Sequence, residues 1–225
     1  VPAAFFIGVG AIAVPAFQAR NHLCDNPPHP WKAGAPRVVH GAADMAKTDN
    51  IFLVGPMGAG KTTIGRRLAD LRSLRFVDSD HEVEGRCGVD IAYIFEKEGE
   101  CGFRRREHQL IDELTQAQGI VLATGGGAIL DPHNRGCLAE RGFVVYLHAS
   151  VDQQLARTAR SASRPLLQRG DRRATLETLF SARDPLYREI ADLVIHTDGR
   201  TARALAREIE RQFVRAAAAA RSQSA

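Results

Sequence analysis

The sequence predicts an α/β fold, a parallel sheet with helices on both faces, on three observations. Five short apolar runs between residues 51 and 195 hardly alternate with polar residues, as in strands buried on both faces. Helical stretches separate these runs, and strands alternating with helices imply parallel pairing. A glycine-rich loop joins the first run to the first helical stretch and closes on Lys-Thr-Thr, the pattern of a phosphate cradle.

The elements follow in chain order. Ile51–Val54 is the first strand, and the loop Gly55-Pro-Met-Gly58-Ala59-Gly60-Lys61-Thr62-Thr63 fits GxxxxGK[ST]. Its glycines let successive N–H groups face a phosphate chain, and the helix that follows turns its positive end to the same point. Lys61, one of four lysines in an arginine-rich chain, suits the β- and γ-phosphates as a point charge, and the Thr62 hydroxyl suits Mg²⁺. Ile64, Leu68 and Leu71 continue at helical spacing, so a helix is predicted over 61–72. Arg75–Val77, Ile120–Ala123, Phe143–Leu147 and Leu193–Ile195 are the other strands. Further helices are predicted over 89–96, 103–117, 132–140, 151–159, 174–188 and 201–214. The alanine-rich tail from residue 216 is expected to fray.

Ligands of such sheets sit beyond the carboxyl ends of the strands, and the residues there are informative. Asp78-Ser79-Asp80 follows the second strand. One carboxylate can serve the hydration shell of Mg²⁺ and the other can orient a hydroxyl or take its proton. The same residues also suit a helix N-cap. In Phe103-Arg104-Arg105-Arg106-Glu107, Arg104 and Glu107 stand three apart on one helical face, so the carboxylate can brace the guanidinium. Thr124-Gly125-Gly126-Gly127 follows the third strand and offers close backbone approach and N–H donors. Arg164-Pro-Leu-Leu lies in a polar stretch that reads as a mobile loop, and Arg183-Asp-Pro-Leu-Tyr187 in a later helical region.

Composition narrows the classes. A chain of 225 residues with 44% hydrophobic and 25% charged content fits one globular domain. The net charge of +4 is spread along the chain, and aromatic residues make up only 6%, which favours small anionic ligands over nucleic acid. None of the four cysteines shows CxxC spacing, so reduced thiols are expected rather than a zinc knuckle or redox pair. No apolar stretch reaches the ~18 residues of a membrane helix. Residues 1–44 differ in character from the rest, which leads to the expectation that Met45 is the native start and that 1–44 are an over-extended frame or a disordered leader.

Taken together, the phosphate loop, DSD, FRRRE, GGG, RPLL and RDPLY, in this order and spacing, resemble the shikimate kinase family from about residue 50 to 212. The resemblance implies a P-loop three-layer αβα sandwich with a five-stranded parallel sheet (order 2-3-1-4-5) and a lid over about 160–173, in a domain spanning 45–215. It implies transfer of the ATP γ-phosphoryl group to the 3-hydroxyl of shikimate, with Mg²⁺, in the cytoplasm. A monomer with no nucleic-acid or membrane partner is expected. By resemblance, Lys61, Asp80 and Arg164 are catalytic, and Gly58, Ala59, Gly60, Lys61, Thr62, Thr63 and Arg157 bind ATP, with Arg157 against the adenine. Thr62 and Asp78 serve the metal. Asp80, Arg104, Gly126, Arg183, Phe95, Phe103 and Glu107 form the shikimate pocket. Where the family often has a proline opposite the adenine arginine, this chain reads Thr197-Asp-Gly-Arg-Thr201. The alternatives are a gluconate-type sugar-acid kinase on the same fold and a non-catalytic nucleotide-binding module.

Overall fold

The computed structural model describes residues 49–159 and 171–223. In chain order the elements are β1 (Ile51–Val54), α1 (Lys61–Arg72), β2 (Arg75–Asp78), α2 (Ser79–Cys87), α3 (Ile91–Gln116), β3 (Ile120–Ala123), a 3-10 turn (Ala128–Leu130) and α4 (Pro132–Arg141). β4 (Phe143–His148), α5 (Val151–Thr158), α6 (Arg172–Ile190), β5 (Leu193–His196) and α7 (Ala202–Gln223) complete it. The five strands form one parallel sheet in the order β2-β3-β1-β4-β5.

Two cores explain why the strands do not alternate. Phe52 and Val54 point from β1 into a core with Val77, Ile94, Leu110, Ile111, Leu122, Val144 and Tyr146, closed by α2, α3, α4 and α6. Ile51 and Leu53 point the other way, against Ile64 and Leu68 of α1 and Leu205, Ile209 and Phe213 of α7. Neighbouring residues of one strand are therefore apolar for different cores. Below the sheet, the Asn50 amide donates to Ala117 O (2.7 Å) and accepts from Ile120 N (3.1 Å), fixing where β3 enters beside β1.

Register lines up the functional loops. Asp78 of β2 pairs with Ala123 of β3, and Ala123 with Leu53 of β1. The DSD, GGG and phosphate-loop segments thus leave the same edge of the sheet side by side.

Residues 91–116 are two helical segments joined across a kink, as the separate helices expected over 89–96 and 103–117 imply, because Gly99 adopts φ 69°, ψ −175° between them, a conformation nearly restricted to glycine. Other features differ from expectation. Ser79–Cys87 is a helix that carries no apolar periodicity, since Val83 is its one buried aliphatic side chain. The tail expected to fray from residue 216 is instead helical to Gln223, with Ala217 and Ala220 buried. Alanine is the strongest helix former and here fits a close approach to the neighbouring layer. Residues 1–44, Met45 and the stretch 160–170 of the expected lid lie outside the described residues. Arg172 and Arg173, placed in the lid from sequence, belong to the first turn of α6.

Candidate active site

The phosphate loop turns from β1 into α1 with Gly60 as N-cap at φ 93°, ψ 19°, which a side chain would resist. Packing also demands glycine at the first position, where a Cβ on Gly55 would lie 2.5 Å from Leu147 O. Lys61 Nζ donates to Gly55 O (2.7 Å) and Pro56 O (2.9 Å), so the ammonium lies along the inside of the loop. Arg157 crosses from α5 and donates to Gly58 O (2.9 Å). The Thr197–Thr201 loop closes the same end, with Asp198 Oδ1 accepting from Ser150 N (3.2 Å).

Beside the loop, Thr62 Oγ1 donates to Asp78 Oδ2 (2.7 Å). The other oxygen of Asp78 accepts from Asp80 N (3.2 Å) and caps α2. The two sequence readings of this aspartate, N-cap and site residue, therefore coexist on its two oxygens. A hydroxyl and a carboxylate this close, next to Lys61, fit a hard cation such as Mg²⁺ that takes few protein ligands and keeps waters.

The GGG segment is a contact surface for side chains. A Cβ on Gly125 would stand 2.5 Å from Asp80 Oδ1 and 2.9 Å from Glu107 Oε1. One on Gly127 would collide with the Arg104 guanidinium, whose nitrogens lie 2.3 and 2.5 Å away. Sequence reasoning assigned these glycines to ligand approach and N–H donation. In the structure Gly125 N already donates to Ser79 Oγ (2.9 Å), and the space goes to Asp80, Glu107 and Arg104.

Arg104 donates to Glu107 Oε2 (2.6 Å) and, through Nε and Nη2, to Glu100 Oε1 (3.2 and 3.0 Å). Its guanidinium lies over the Phe103 ring, 5.2 Å from the centroid. Phe103 is a core residue with Phe95 packed on it at 5.0 Å, so this pair is the apolar floor beneath the arginine. Glu107 is 2% exposed, and its Oε1 has no hydrogen-bond partner among the described residues. Burial pushes its carboxyl up from the ordinary value, against the pull of Arg104.

Arg183 approaches from α6 and donates to Gly126 O (3.2 Å). The Tyr187 hydroxyl, one turn on, donates to the same oxygen (2.6 Å). Burial holds the Arg183 guanidinium below its ordinary pKa, and the charge of Arg104 adds to the effect. A cleft lined by Pro56, Met57, Leu176, Leu179 and Phe180 leads to Arg183.

Every expected site residue except Arg164, which lies outside the described residues, therefore falls on one edge of the sheet. Sequence reasoning missed three supports, Ser79, Glu100 and Tyr187. Tyr187 stands in the RDPLY motif already singled out, and Glu100 stands at i, i+4 from Arg104, a spacing that signals an ion pair on a helix. Ser79 left no such signal, because its partner lies across the β2–β3 boundary.

Known proteins resemble this chain in sequence and fold. The profile of the shikimate kinase family matches residues 57–214. A shikimate kinase of Shewanella amazonensis is 56% identical over 169 residues, covering 75% of this chain and 99% of its own length. The structure of an Acinetobacter baumannii shikimate kinase in complex with shikimate superposes with a TM-score of 0.73 at 51% identity, over 77% of this chain and 97% of that one. A gluconokinase from Sinorhizobium meliloti has a TM-score of 0.51 at 15% identity, over 78% of this chain and 97% of its own, a likeness of fold alone.

Proposed function

The chain belongs to the shikimate kinase family, and from that premise we infer that it transfers the γ-phosphoryl group of ATP to the 3-hydroxyl of shikimate. The observation that carries the reading is the pairing, on one sheet edge, of a phosphate loop with two convergent arginines. Arg104 and Arg183 are close enough for the charge of one to lower the pKa of the other. A small carboxylate between them would relieve that repulsion and take charge-assisted hydrogen bonds from both. Shikimate supplies such a carboxylate on a rigid polyol ring.

The division of labour follows from position. Asp80 stands against Gly125 on the side of Glu107, where its carboxylate can orient the substrate hydroxyl and receive its proton as the phosphoryl group departs from ATP. Glu107, Glu100 and the Phe103 ring hold Arg104 in one orientation. Gly126 O does the same for Arg183, with Phe95 backing Phe103. The N–H groups of Gly58, Ala59, Gly60, Lys61, Thr62 and Thr63 suit the ATP phosphates. Lys61 neutralises charge on the transferring group, and Arg157 is suited to the adenine face. Mg²⁺, for which Thr62 and Asp78 are the donors, would supply charge neutralisation of the β- and γ-phosphates. The role of Arg164 rests on the family motif. A single chain brings the described site residues together, so the reaction needs no second copy, and a monomer in the cytoplasm is the proposed state. No helix among the described residues is long and apolar enough to cross a membrane.

The test is the structure of the product. A phosphorus–proton correlation spectrum of the reaction with Mg·ATP should show phosphate coupled to the proton on C3 of shikimate. Phosphate on another hydroxyl would mean that Asp80 faces a different part of the ring.

A further inference from the structure

On the side of the sheet opposite α1, Asp112 of α3 meets His133 and Cys137 of α4, with one donor atom of each within 4.8 Å of the others. His133 and Cys137 are four residues apart and share one side of their helix, as paired metal ligands often do. Cys137 Sγ stands 3.3 Å from His133 Nε2 and 3.5 Å from Asp112 Oδ1, and that Nε2 is 3.6 Å from that Oδ1. These lengths match a metal's demands. With Zn–S of about 2.3 Å and Zn–N and Zn–O of about 2.0–2.2 Å at tetrahedral angles, the three ligand atoms must lie roughly 3.3–3.6 Å apart.

We propose that Asp112, His133 and Cys137 bind one Zn²⁺ ion, which clamps α3 to α4, with water as the fourth ligand. The donor set is soft thiolate, imidazole and one carboxylate, which favours zinc over Mg²⁺ or Ca²⁺. The Cys137 side is buried and Asp112 is 39% exposed, so the open edge for entry and for the water is at the aspartate. His108 stacks on the His133 ring at 4.3 Å and is itself held by Asp131 (2.8 Å), which limits the rotation of the imidazole.

Two groups oppose the ion. Burial raises the Cys137 thiol to about 11, so binding must release its proton to solvent and form the Zn–S bond in its place. Arg141 Nη1 donates to Asp112 Oδ1 (2.8 Å). It also donates to Thr115 Oγ1 (2.9 Å) and Asp112 O (3.0 Å), and a carboxylate oxygen has lone pairs for both a donor and a metal. With Cys137 as thiolate, it and Asp112 offset the two charges of the ion.

The cysteines lack zinc-knuckle spacing, and this site differs in kind, since its third ligand comes from another helix. It serves no step of phosphoryl transfer, so its test is independent of activity. Nucleotide-free protein, stripped of metal, is titrated with Zn²⁺ against a chromogenic chelator and with Co²⁺ in the near ultraviolet. The wild type should take one equivalent of Zn²⁺ and show a thiolate-to-cobalt charge-transfer band. Cys137→Ser should abolish that band. His133→Gln, which keeps the thiol should the serine variant fail to fold, should weaken Zn²⁺ binding by about 100-fold or more, beyond the ~10–100-fold of a lost outer partner. Absence of the band in the wild type, or Zn²⁺ affinity unmoved by His133→Gln, would reduce the trio to hydrogen bonds and overturn the site.

Discussion

At Gly127 a single methyl group would meet the Arg104 guanidinium at 2.3 Å. The obstructed atom ends a flexible side chain, so the fold can yield by moving Arg104 away from Glu107. Gly127→Ala should therefore lower the thermal midpoint, because buried Glu107 loses its partner, and raise the shikimate KM by on the order of tenfold to a hundredfold, with the ATP KM unaffected. Steady-state kinetics with each substrate varied would show it, and a rise in the ATP KM instead would detach Arg104 from the shikimate pocket. At this scale the sequence was informative about which residues matter and less about why. Lys61, Asp78, Asp80, Arg104 and Arg183 stand in motifs whose residue types announce their chemistry. The reason for the glycines lies in Asp80, Glu107 and Arg104, distant in sequence, and no local pattern reports that.

Elements were legible where periodicity and burial agree. α1 matches the expected 61–72 because Ile64 and Leu68 face one core. α2 escaped notice because eight of its nine residues are not buried aliphatics, so its stability rests on the Asp78 cap rather than on an apolar stripe. The bend at Gly99 was visible only as a gap between two predicted helices, and it turns the Arg104 segment relative to the first part of α3. The junction of β4, β5 and α6 carries a pH signature. His148, at the end of β4, has a buried Nδ1 with no hydrogen-bond partner among the described residues, and its ring lies tilted against His196 (4.5 Å) and edge-on to Phe180 (5.4 Å). Burial, reinforced by His196, holds its pKa below the ordinary value. The folded protein thus binds fewer protons here than the unfolded chain. Stability from this group is present above the unfolded pKa of about 6.5 and falls away as pH drops below it. Urea unfolding across that range should give a shallower acid decline for His148→Gln than for the wild type. Parallel declines would remove His148 from the acid limb.

Across the whole molecule, one sheet separates two cores and delivers three loops to one edge. The parallel class was legible because β1, β3 and β4 are apolar on both faces. Strand order was not, since β2 pairs with β3 and β3 with β1 through long-range contacts that spacing alone does not encode; the family resemblance supplied it. The phosphate loop, the arginine pair and Asp80 all lie within the described residues and converge as one unit, on which the proposed reaction rests. Its most direct measurement is ADP release by the purified protein with Mg·ATP alone, with shikimate, and with gluconate. Release should depend on shikimate and be lost in Asp80→Asn while ATP still binds. Release with gluconate and not with shikimate would contradict the assignment of Arg104 and Arg183. ATP binding without release under any condition would contradict catalysis itself.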